Sequence, residues 1–316
     1  MSIKLKISLL ALALVAAYFG REYWLENYRR ATKQSTNTSN AELQRFLDFG
    51  TKIESEHYDI SSTATAEQTV LIATKAESLY KAYSIFFRDS IPINTNQPKL
   101  KLMLYKDRNE FSAFNRSSPW AEAYYLYPIC YAYYSNGEKN PYHWMIHEAT
   151  HQLNKEVAHF NTSKWINEGL ATYFGTSKIE NGELLPGNID GNTYPIWWLS
   201  SLDLSGKLQD DIDKGKIIPL RAIISGKNAP DINKNVNLYY IEYWSFSHFL
   251  FHYENGRYAR GYQKLIAEGG TLENFEKIVG PIDQVENEWY GYLQNKILET
   301  DSDSETEDRG VVEVSI

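Results

Sequence analysis

The segment 143–174 constrains the fold more than any other part of the chain, because it contains two motifs that belong together chemically. His147, Glu148 and His151 form the pattern H-E-x-x-H, and Glu168 follows in the second motif, W-I-N-E-G-L-A. In a helix, two histidines four positions apart lie on the same face, one turn from each other. Two imidazoles at this spacing can hold one zinc ion, with a carboxylate beside them. The segment therefore predicts a helical metal site.

A catalytic zinc site needs a third protein ligand and one open position for water. Glu156 follows the histidines on the same helix and cannot easily return to the metal. His159 lies eight positions past the second histidine, not the six of the H-E-x-x-H-x-x-G-x-x-H pattern. Glu168 comes after the polar turn 161–163, which permits an antiparallel second helix, and Gly169 beside it leaves room for close helix packing. We therefore predict Glu168 as the third ligand.

The two motifs together resemble those of the gluzincin metallopeptidases, in which W-x-x-E-G-x-A-x-Y-F carries the third zinc ligand. Their short spacing is similar to that of compact bacterial members of the peptidase MA-like clan, including the DUF1570-type proteins. The resemblance implies that His147, His151 and Glu168 hold one Zn²⁺ and that Glu148 is the general base. It extends from about Glu56 to Leu293, although outside the two motifs it concerns mainly the order of elements.

The same resemblance implies a tyrosine that stabilises the oxyanion and a strand that binds the substrate. Tyr240 is the best match to that tyrosine, and Tyr239 or Tyr243 replaces it if the register is shifted; a packing role is the competing interpretation for each. We assign the substrate-binding edge strand to Pro128–Ser135. Thr172 is placed to hydrogen-bond a ligand histidine where some gluzincins use a carboxylate.

Other chemically suggestive residues have simpler interpretations. His143 is expected either to support the ligand histidines from behind or to be exposed. We interpret His248 and His252 as packing or surface groups. The aromatic segment 120–134 predicts an edge strand with aromatic packing, and the alternative is a wall that binds the substrate. The lone Cys130 within it is predicted to be a buried small hydrophobic residue.

The periodicity of apolar residues predicts strands early in the chain and helices later. We predict strands at 56–61 and 100–104, and helices at 66–87, 107–114, 141–154, 165–174, 194–202, 238–253, 258–268, 272–279 and 282–298. Residues 203–230 are predicted to be a loop. This order predicts an α+β, zincin-like fold, with a small N-terminal mixed sheet, an edge strand over the active-site helix and a mostly helical C-terminal part.

Composition divides the chain into four segments. Lys4 and Lys6 precede an apolar run, which predicts an export signal or an N-terminal membrane anchor. The bulk of the protein is then expected outside the cytoplasm: periplasmic, secreted or membrane-anchored. The predicted segments are a signal or anchor (1–20), a linker (21–45), the metallopeptidase domain (46–298, with a sheet-containing part at 46–160 and a helical part at 161–298) and a disordered acidic tail (299–316).

Charge and cysteine content exclude several classes. The net charge of −8 without a long basic run argues against nucleic-acid binding, and a single cysteine excludes disulfide frameworks and cysteine zinc sites. We therefore predict a zinc-dependent peptidase that acts on a peptide or protein substrate. The alternatives are a noncatalytic envelope binding or scaffolding protein on the same fold, and a zinc hydrolase directed at peptidoglycan or carbohydrate. The sequence does not identify the substrate or the oligomeric state.

Overall fold

The computed structural model describes residues 41–94, 97–118 and 121–309. The chain divides into two compact units, with the boundary in the sequence between Phe49 and Gly50. In the first unit, helix α1 spans residues 41–48, so the end of the predicted linker 21–45 is helical. The predicted signal or anchor segment and the rest of that linker lie outside the described residues. Among the described helices, none is both long enough and apolar enough to cross a membrane.

A five-stranded mixed sheet opens the second unit. Its strands are β1 (Thr51–Glu54), β2 (Tyr58–Ser62), β3 (Leu100–Tyr105), β4 (Tyr124–Leu126) and β5 (Ile129–Tyr133). They lie in the order β1-β2-β3-β5-β4, and the three central strands are parallel while the two outer strands are antiparallel to their neighbours. This arrangement gives the predicted mixed sheet.

The strand at 129–133 is an interior strand, so its prediction as the edge was wrong. β5 pairs with β3 along its length, and the short turn before it folds β4 back onto its other side, where Tyr124 to Leu126 pair with Tyr131 to Ile129. β4 is therefore the edge strand on this side of the sheet. The backbone groups of β5 that would bind an extended peptide are already bonded over these residues.

Local signals explain the two helices of this sheet-containing part. Helix α2 (Ala66–Phe87) has the predicted bounds, and the side chains of Thr65 and Gln68 form a capping box at its start. Helix α3 (Arg108–Phe114) also lies where it was predicted, because the Asp107 side chain accepts a hydrogen bond from the backbone N–H of Glu110. Both caps are encoded within four residues.

The rest of the second unit is mostly helical. Its helices are α4 (His143–Gln152), α5 (Lys164–Gly175), α6 (Leu208–Asp213), α7 (Leu220–Ser225), α8 (Val236–His252), α9 (Ala259–Glu268), α10 (Leu272–Ile278) and α11 (Ile282–Arg309). A π-helical turn (Leu153–Val157) continues α4, and 3-10 helices lie at Ile196–Ser201, Ile232–Lys234 and Tyr253–Asn255. A two-stranded hairpin, β6 (Ser177–Glu180) and β7 (Glu183–Ile189), follows α5.

Several elements differ from the sequence predictions. The hairpin was not predicted, although Asn181 and Gly182 at its turn both have positive φ, the conformation that Asn-Gly favours. The predicted loop 203–230 contains two short helices, α6 and α7. Helix α4 begins two residues after the predicted Pro141, and α11 continues through the acidic segment to Arg309 rather than ending at Leu298. Residues 310–316 of the predicted tail lie outside the described part.

Three stacked helices bring the two motifs of segment 143–174 together. α4 packs against β5 and α5, and α5 packs in turn against α8. The close approach of α5 to α8 depends on Gly169, because a Cβ atom there would lie 2.1 Å from Oγ of Ser247 and 3.0 Å from the backbone oxygen of Tyr243. Gly169 thus permits close packing of α5 against α8, whereas the close contact of α5 with the histidine helix is at Gly175, where a Cβ atom would lie 3.3 Å from Cβ of His147.

Candidate metal centre

Helix α4 presents two histidines on one face. The ring centroids of His147 and His151 are 4.9 Å apart. Potential ligand atoms of His147, Glu148 and His151 all lie within 4.8 Å of one another, the arrangement expected of side chains that hold a metal ion. The side chains of both histidines are about one-eighth exposed, at 13% and 12%, so the ring edges remain accessible from a cavity.

Glu168 on α5 reaches the same point. Its Oε2 atom lies 3.6 Å from Nε2 of His147 and 3.5 Å from Nε2 of His151. These distances are too long for good hydrogen bonds. Two ligands of a tetrahedral zinc ion, each bonded at about 2.0–2.1 Å, are about 3.3 Å apart. Oε2 is buried and has no hydrogen-bond partner among the described residues, so the three side chains fit a shared metal ion.

The two histidines of the centre favour the deprotonated, negatively charged form of Glu168. Burial alone would raise the pKa of Glu168, but the attraction of His151 and His147 outweighs burial and holds this pKa well below its ordinary value. Burial alone would lower the pKa of His151, but the carboxylates of Glu168 and Glu148 raise it to about 9. The site therefore has a strong affinity for positive charge, which a divalent cation satisfies in place of protons.

A chain of amides supports the second histidine. The Tyr83 hydroxyl donates to Oδ1 of Asn154 at 2.8 Å, and Nδ2 of Asn154 donates to Oδ1 of Asn167 at 3.0 Å. The amide of Asn167, which precedes Glu168 in the chain, lies near the His151 imidazole and contributes to raising its pKa, although Nδ1 of His151 makes no hydrogen bond within the described residues. Groups that orient a ligand histidine in this way tune metal affinity. No role was predicted for Asn167, although it lies within the second motif.

Thr172 does not have the predicted role. Its hydroxyl donates to the backbone oxygens of Glu168, at 2.7 Å, and Gly169, at 3.1 Å. The hydroxyl is therefore engaged by the backbone of its own helix and not by His147 or His151. A threonine inside a helix commonly bonds to a carbonyl one turn earlier, a local alternative that a sequence motif does not reveal.

Of the three tyrosines considered, Tyr240 lies at the centre. Its ring centroid is 5.9 Å from that of His147. Burial and the negative charges of Glu168 and Glu148 raise the pKa of Tyr240 well above its ordinary value, so the phenol keeps its proton. The Tyr239 hydroxyl instead donates to the backbone oxygen of Pro230 at 2.6 Å. Tyr243 is buried beside Tyr240 and lines neither of the two cavities at the centre.

Two cavities meet at Glu148 and Tyr240, which line both of them. The first, of about 470 Å³, extends from His151 and Glu168 between polar side chains such as Asn161. The second, of about 540 Å³, extends from His147. Its walls are formed largely by aromatic rings: Trp144, Tyr194, Trp197 and Trp198. The centre thus lies in a cleft with one polar half and one aromatic half.

Aromatic residues from two segments contribute to this cleft. Tyr124, Tyr125 and Tyr127 of the predicted aromatic segment line the polar half, so part of the alternative interpretation of 120–134 as a wall agrees with the structure. The aromatic half is built mainly by residues 194–198, which the sequence analysis interpreted only as part of a helix. Nothing local distinguishes an aromatic residue in a cavity wall from one in a core, so this half was not predicted.

The remaining candidates lie away from the centre. The Glu156 carboxylate accepts hydrogen bonds from Gln152 and Tyr125, both at 3.0 Å, and His159 is exposed. Cys130 is a free, buried cysteine whose thiol pKa is raised by burial, as predicted for an inert small side chain. His248 is buried, and its ring nitrogens contact protein groups, which agrees with its predicted packing role.

His143 is neither exposed nor a partner of the ligand histidines. It is 2% exposed and lines the aromatic cavity, one turn before His147 on α4. Its Nδ1 atom lies 2.9 Å from the backbone oxygen of Asn140. A carbonyl oxygen can only accept, so Nδ1 carries the proton.

Comparison with known families agrees with this location of the site. No curated protein gives a significant match to the chain. A family model described as a protein of unknown function (DUF1570) matches residues 143–268, from the start of α4 to the end of α9. This range includes both metal-site motifs and Tyr240. The resemblance to the DUF1570-type proteins is thus supported over residues 143–268.

Proposed function

We propose that the protein is a zinc-dependent peptidase. The observation that carries this proposal is the position of Glu168 Oε2, a buried carboxylate oxygen that has no hydrogen-bond partner in the described part of the chain and lies 3.5–3.6 Å from Nε2 of both motif histidines. Protein side chains with this donor set and this separation are typical of catalytic zinc sites. His147, His151 and Glu168 would hold the ion. A zinc ion bound there would polarise the substrate carbonyl and lower the pKa of water.

The residues around the metal position have complementary roles in the proposed reaction. Glu148 lines both cavities and takes a proton from the attacking water, then delivers it to the leaving amine. Tyr240 faces the same point, and because its phenol stays protonated it donates a hydrogen bond to the carbonyl oxygen as negative charge develops there. The polar and aromatic halves of the cleft meet at these two residues, so each half can hold the part of the substrate on one side of the scissile bond.

Replacement of Glu148 by Gln tests the proposal. The variant keeps the shape of the side chain but cannot accept a proton, so we expect hydrolysis of a peptide library to fall by about 10²–10⁴-fold. Zinc content, measured by elemental analysis, is expected to remain equal to that of the wild type. Chelator should abolish wild-type cleavage, and added zinc should restore it. Undiminished cleavage by the variant would contradict the proposed role of Glu148.

A metal analysis also separates this proposal from a noncatalytic role. A binding or scaffolding protein that has lost the chemistry would copurify with little zinc and would have the same thermal stability with and without chelator. A peptidase that holds zinc through three ligands should lose stability in chelator, because binding to the folded state alone raises stability. The alternative of a carbohydrate-directed hydrolase predicts cleavage of glycan substrates with no cleavage of peptides.

A further inference from the structure

The aromatic half of the cleft carries information about the substrate. It adjoins His147, Glu148 and Tyr240, so a group held there would lie next to the reacting bond. Its volume of about 540 Å³ lies within the range of ligand-binding pockets, about 300–1,000 Å³. Trp197 and Trp198 on its rim are 41% and 42% exposed, although tryptophan is usually buried. Exposed aromatic rings around a cavity indicate a surface that binds a ligand.

The rings of this half are arranged to receive another ring. Trp144 lies 5.3 Å from Tyr194 and 6.2 Å from Trp197, centroid to centroid, with interplanar angles of 31° and 71°. His143 meets the edge of Trp197 at 5.3 Å and 83°. Aromatic pairs prefer such tilted and edge-to-face contacts over centroid distances of about 4.5–7 Å. A planar aromatic side chain can continue this set of contacts, whereas an aliphatic side chain gains only apolar burial.

One hydrogen-bond acceptor in the wall lacks a partner among the described residues. Nδ1 of His143 donates to the backbone oxygen of Asn140 at 2.9 Å and lies 3.4 Å from Oε2 of Glu138. Nε2 is buried and has no hydrogen-bond partner among the described residues. Burial lowers the pKa of His143 to about 4, so the ring is neutral near pH 7. With the proton on Nδ1, Nε2 is an acceptor that requires a donor from outside the protein.

We propose that the aromatic cavity selects a tyrosine side chain of a peptide substrate, and that Nε2 of His143 accepts the hydrogen bond of its phenol. The proposal rests on the proposed peptidase function for the class of substrate. A buried acceptor that is left without a hydrogen bond has a cost in free energy, and a bound hydroxyl that donates to it removes this cost. The cavity should therefore prefer tyrosine over phenylalanine, and both over leucine and alanine. His143 would determine specificity without taking part in bond cleavage.

A binding experiment tests the proposal without any catalysis. In the full-length protein with chelator present, p-cresol and toluene are titrated while the fluorescence of the cavity tryptophans is followed. These probes differ only in the hydroxyl, and without metal the phenol has no ion to bind. We expect p-cresol to bind at least about 5-fold more tightly than toluene, the ratio that one neutral hydrogen bond of about 1 kcal/mol gives. Equal affinities would overturn the proposal.

Two variants assign the effect to the cavity. His143→Phe keeps a ring but removes the acceptor, so the p-cresol to toluene ratio should fall to about 1; an unchanged ratio overturns the role of His143. Trp197→Ala removes one exposed side chain of the cavity wall, so it should preserve the fold, as checked by circular dichroism. It should also lower the affinity for both probes. Tyr127→Ala, a change in the polar half, is the matched control and should leave both affinities unaltered. Equal weakening of both probes by Tyr127→Ala would contradict the assignment.

Cleavage assays then connect the cavity to catalysis. Peptides that differ only in Tyr, Phe, Leu or Ala next to the scissile bond should show kcat/KM highest for Tyr, by at least about 5-fold over Phe. Equal cleavage of all four overturns the proposed selectivity and leaves the peptidase function standing. Cleavage of none, with the p-cresol preference intact, overturns the peptidase function and leaves the phenol-binding cavity. If toluene and p-cresol bound with equal affinity and a trimer of N-acetylglucosamine displaced p-cresol, the cavity would be a saccharide site instead.

Discussion

His147 and His151 on α4 and His248 and His252 on α8 have the same four-residue spacing, yet their surroundings are opposite. The α4 pair faces the carboxylate of Glu168 at 3.5–3.6 Å, across a gap that suits a metal ion. In the α8 pair, whose rings are 4.5 Å apart, three of the four ring nitrogens contact protein oxygens. No carboxylate, cysteine or third histidine completes a metal-binding group around the α8 pair in the described part of the chain.

Hydrogen bonds account for the α8 pair. Nδ1 of His248 lies 2.6 Å from the Tyr292 hydroxyl, and Nε2 donates to the backbone oxygen of Gly187 at 3.0 Å. Nε2 of His252 lies 2.8 Å from the Tyr173 hydroxyl. The comparison teaches that helical spacing alone does not make a metal site. An unpaired carboxylate opposite the two rings and an adjoining cavity distinguish the pair that fits an ion from the pair that joins elements.

The largest expected effect is the loss of zinc affinity when the two histidines of α4 are replaced, and replacement of the two histidines of α8 is the matched control. His147→Gln with His151→Gln deletes two predicted ligands, so zinc affinity measured by competition with a chromophoric chelator should fall by more than about 100-fold, beyond the effect of losing one supporting group. The matched variant, His248→Gln with His252→Gln, should keep zinc affinity within a few-fold while losing thermal stability. If both double variants bound zinc alike, the distinction between the pairs would be wrong.

A smaller effect is expected from the group that supports His151. Asn167→Ala removes the amide beside the imidazole, and zinc affinity should fall by about 10–100-fold, as for other residues that orient ligand histidines. Thr172→Val is the control, because the Thr172 hydroxyl bonds only to the backbone of its helix in the contacts observed, and its affinity should match that of the wild type. A loss in Thr172→Val equal to that in Asn167→Ala would restore the role predicted from the sequence for Thr172.

The smallest effect concerns the acid stability of the α8 pair. Burial and the nearby charges of His252 and Lys296 lower the pKa of His248 to about 3, although its hydrogen bond to Gly187 acts in the opposite direction. The unfolded chain, with an ordinary histidine pKa of about 6.5, binds this proton more readily, so stability is present above about pH 6.5 and is lost as pH falls toward 3. Between pH 6.5 and 5 we expect His248 to contribute a loss of about 1.5–2 kcal/mol.

Urea unfolding at the two pH values measures this loss. Chelator is present throughout, so that release of metal at low pH does not contribute. The free energy of unfolding should fall less between pH 6.5 and pH 5 in His248→Gln than in the wild type, by about 1.5–2 kcal/mol. This difference is expected even if the variant is less stable at both pH values. The same pH dependence in both proteins would show that His248 is accessible to protons in the folded state.

The candidate centre was more predictable from the sequence than its surroundings, for a physical reason. His147, His151 and Glu168 lie on two successive helices, and the spacing within each helix and the turn between them are local properties. Tyr240 required a family resemblance, because it lies on α8, distant in the chain. The aromatic cavity combines α4 with residues 194–198, and no periodicity predicts which distant segment closes a cavity.

The fold shows the same division between local and distant information. The helix bounds predicted from the recurrence of apolar residues agree with α2 and with the end of α3, and the side chains of Thr65 and Asp107 cap the first turns of these helices. The edge position predicted for Pro128–Ser135 was wrong, because the neighbours of a strand depend on the pairing of the whole sheet and not on its own residues. The β6–β7 hairpin is a different case, since its turn signal, Asn181-Gly182, is local and stands in the sequence, although no strand was predicted on either side of it.

The short separation of the three predicted ligands also has a consequence for how the protein forms. Only 16 residues lie between His151 and Glu168, whereas Tyr240 follows 72 positions after Glu168. The entropy lost on closing a loop grows with the logarithm of its length, so the α4–α5 pair is the least costly place for an early long-range contact. During synthesis both helices emerge before α8 exists. A metal ion would therefore reinforce the α4–α5 pair during folding, and the chain would acquire its predicted metal ligands before the tyrosine proposed to act with them.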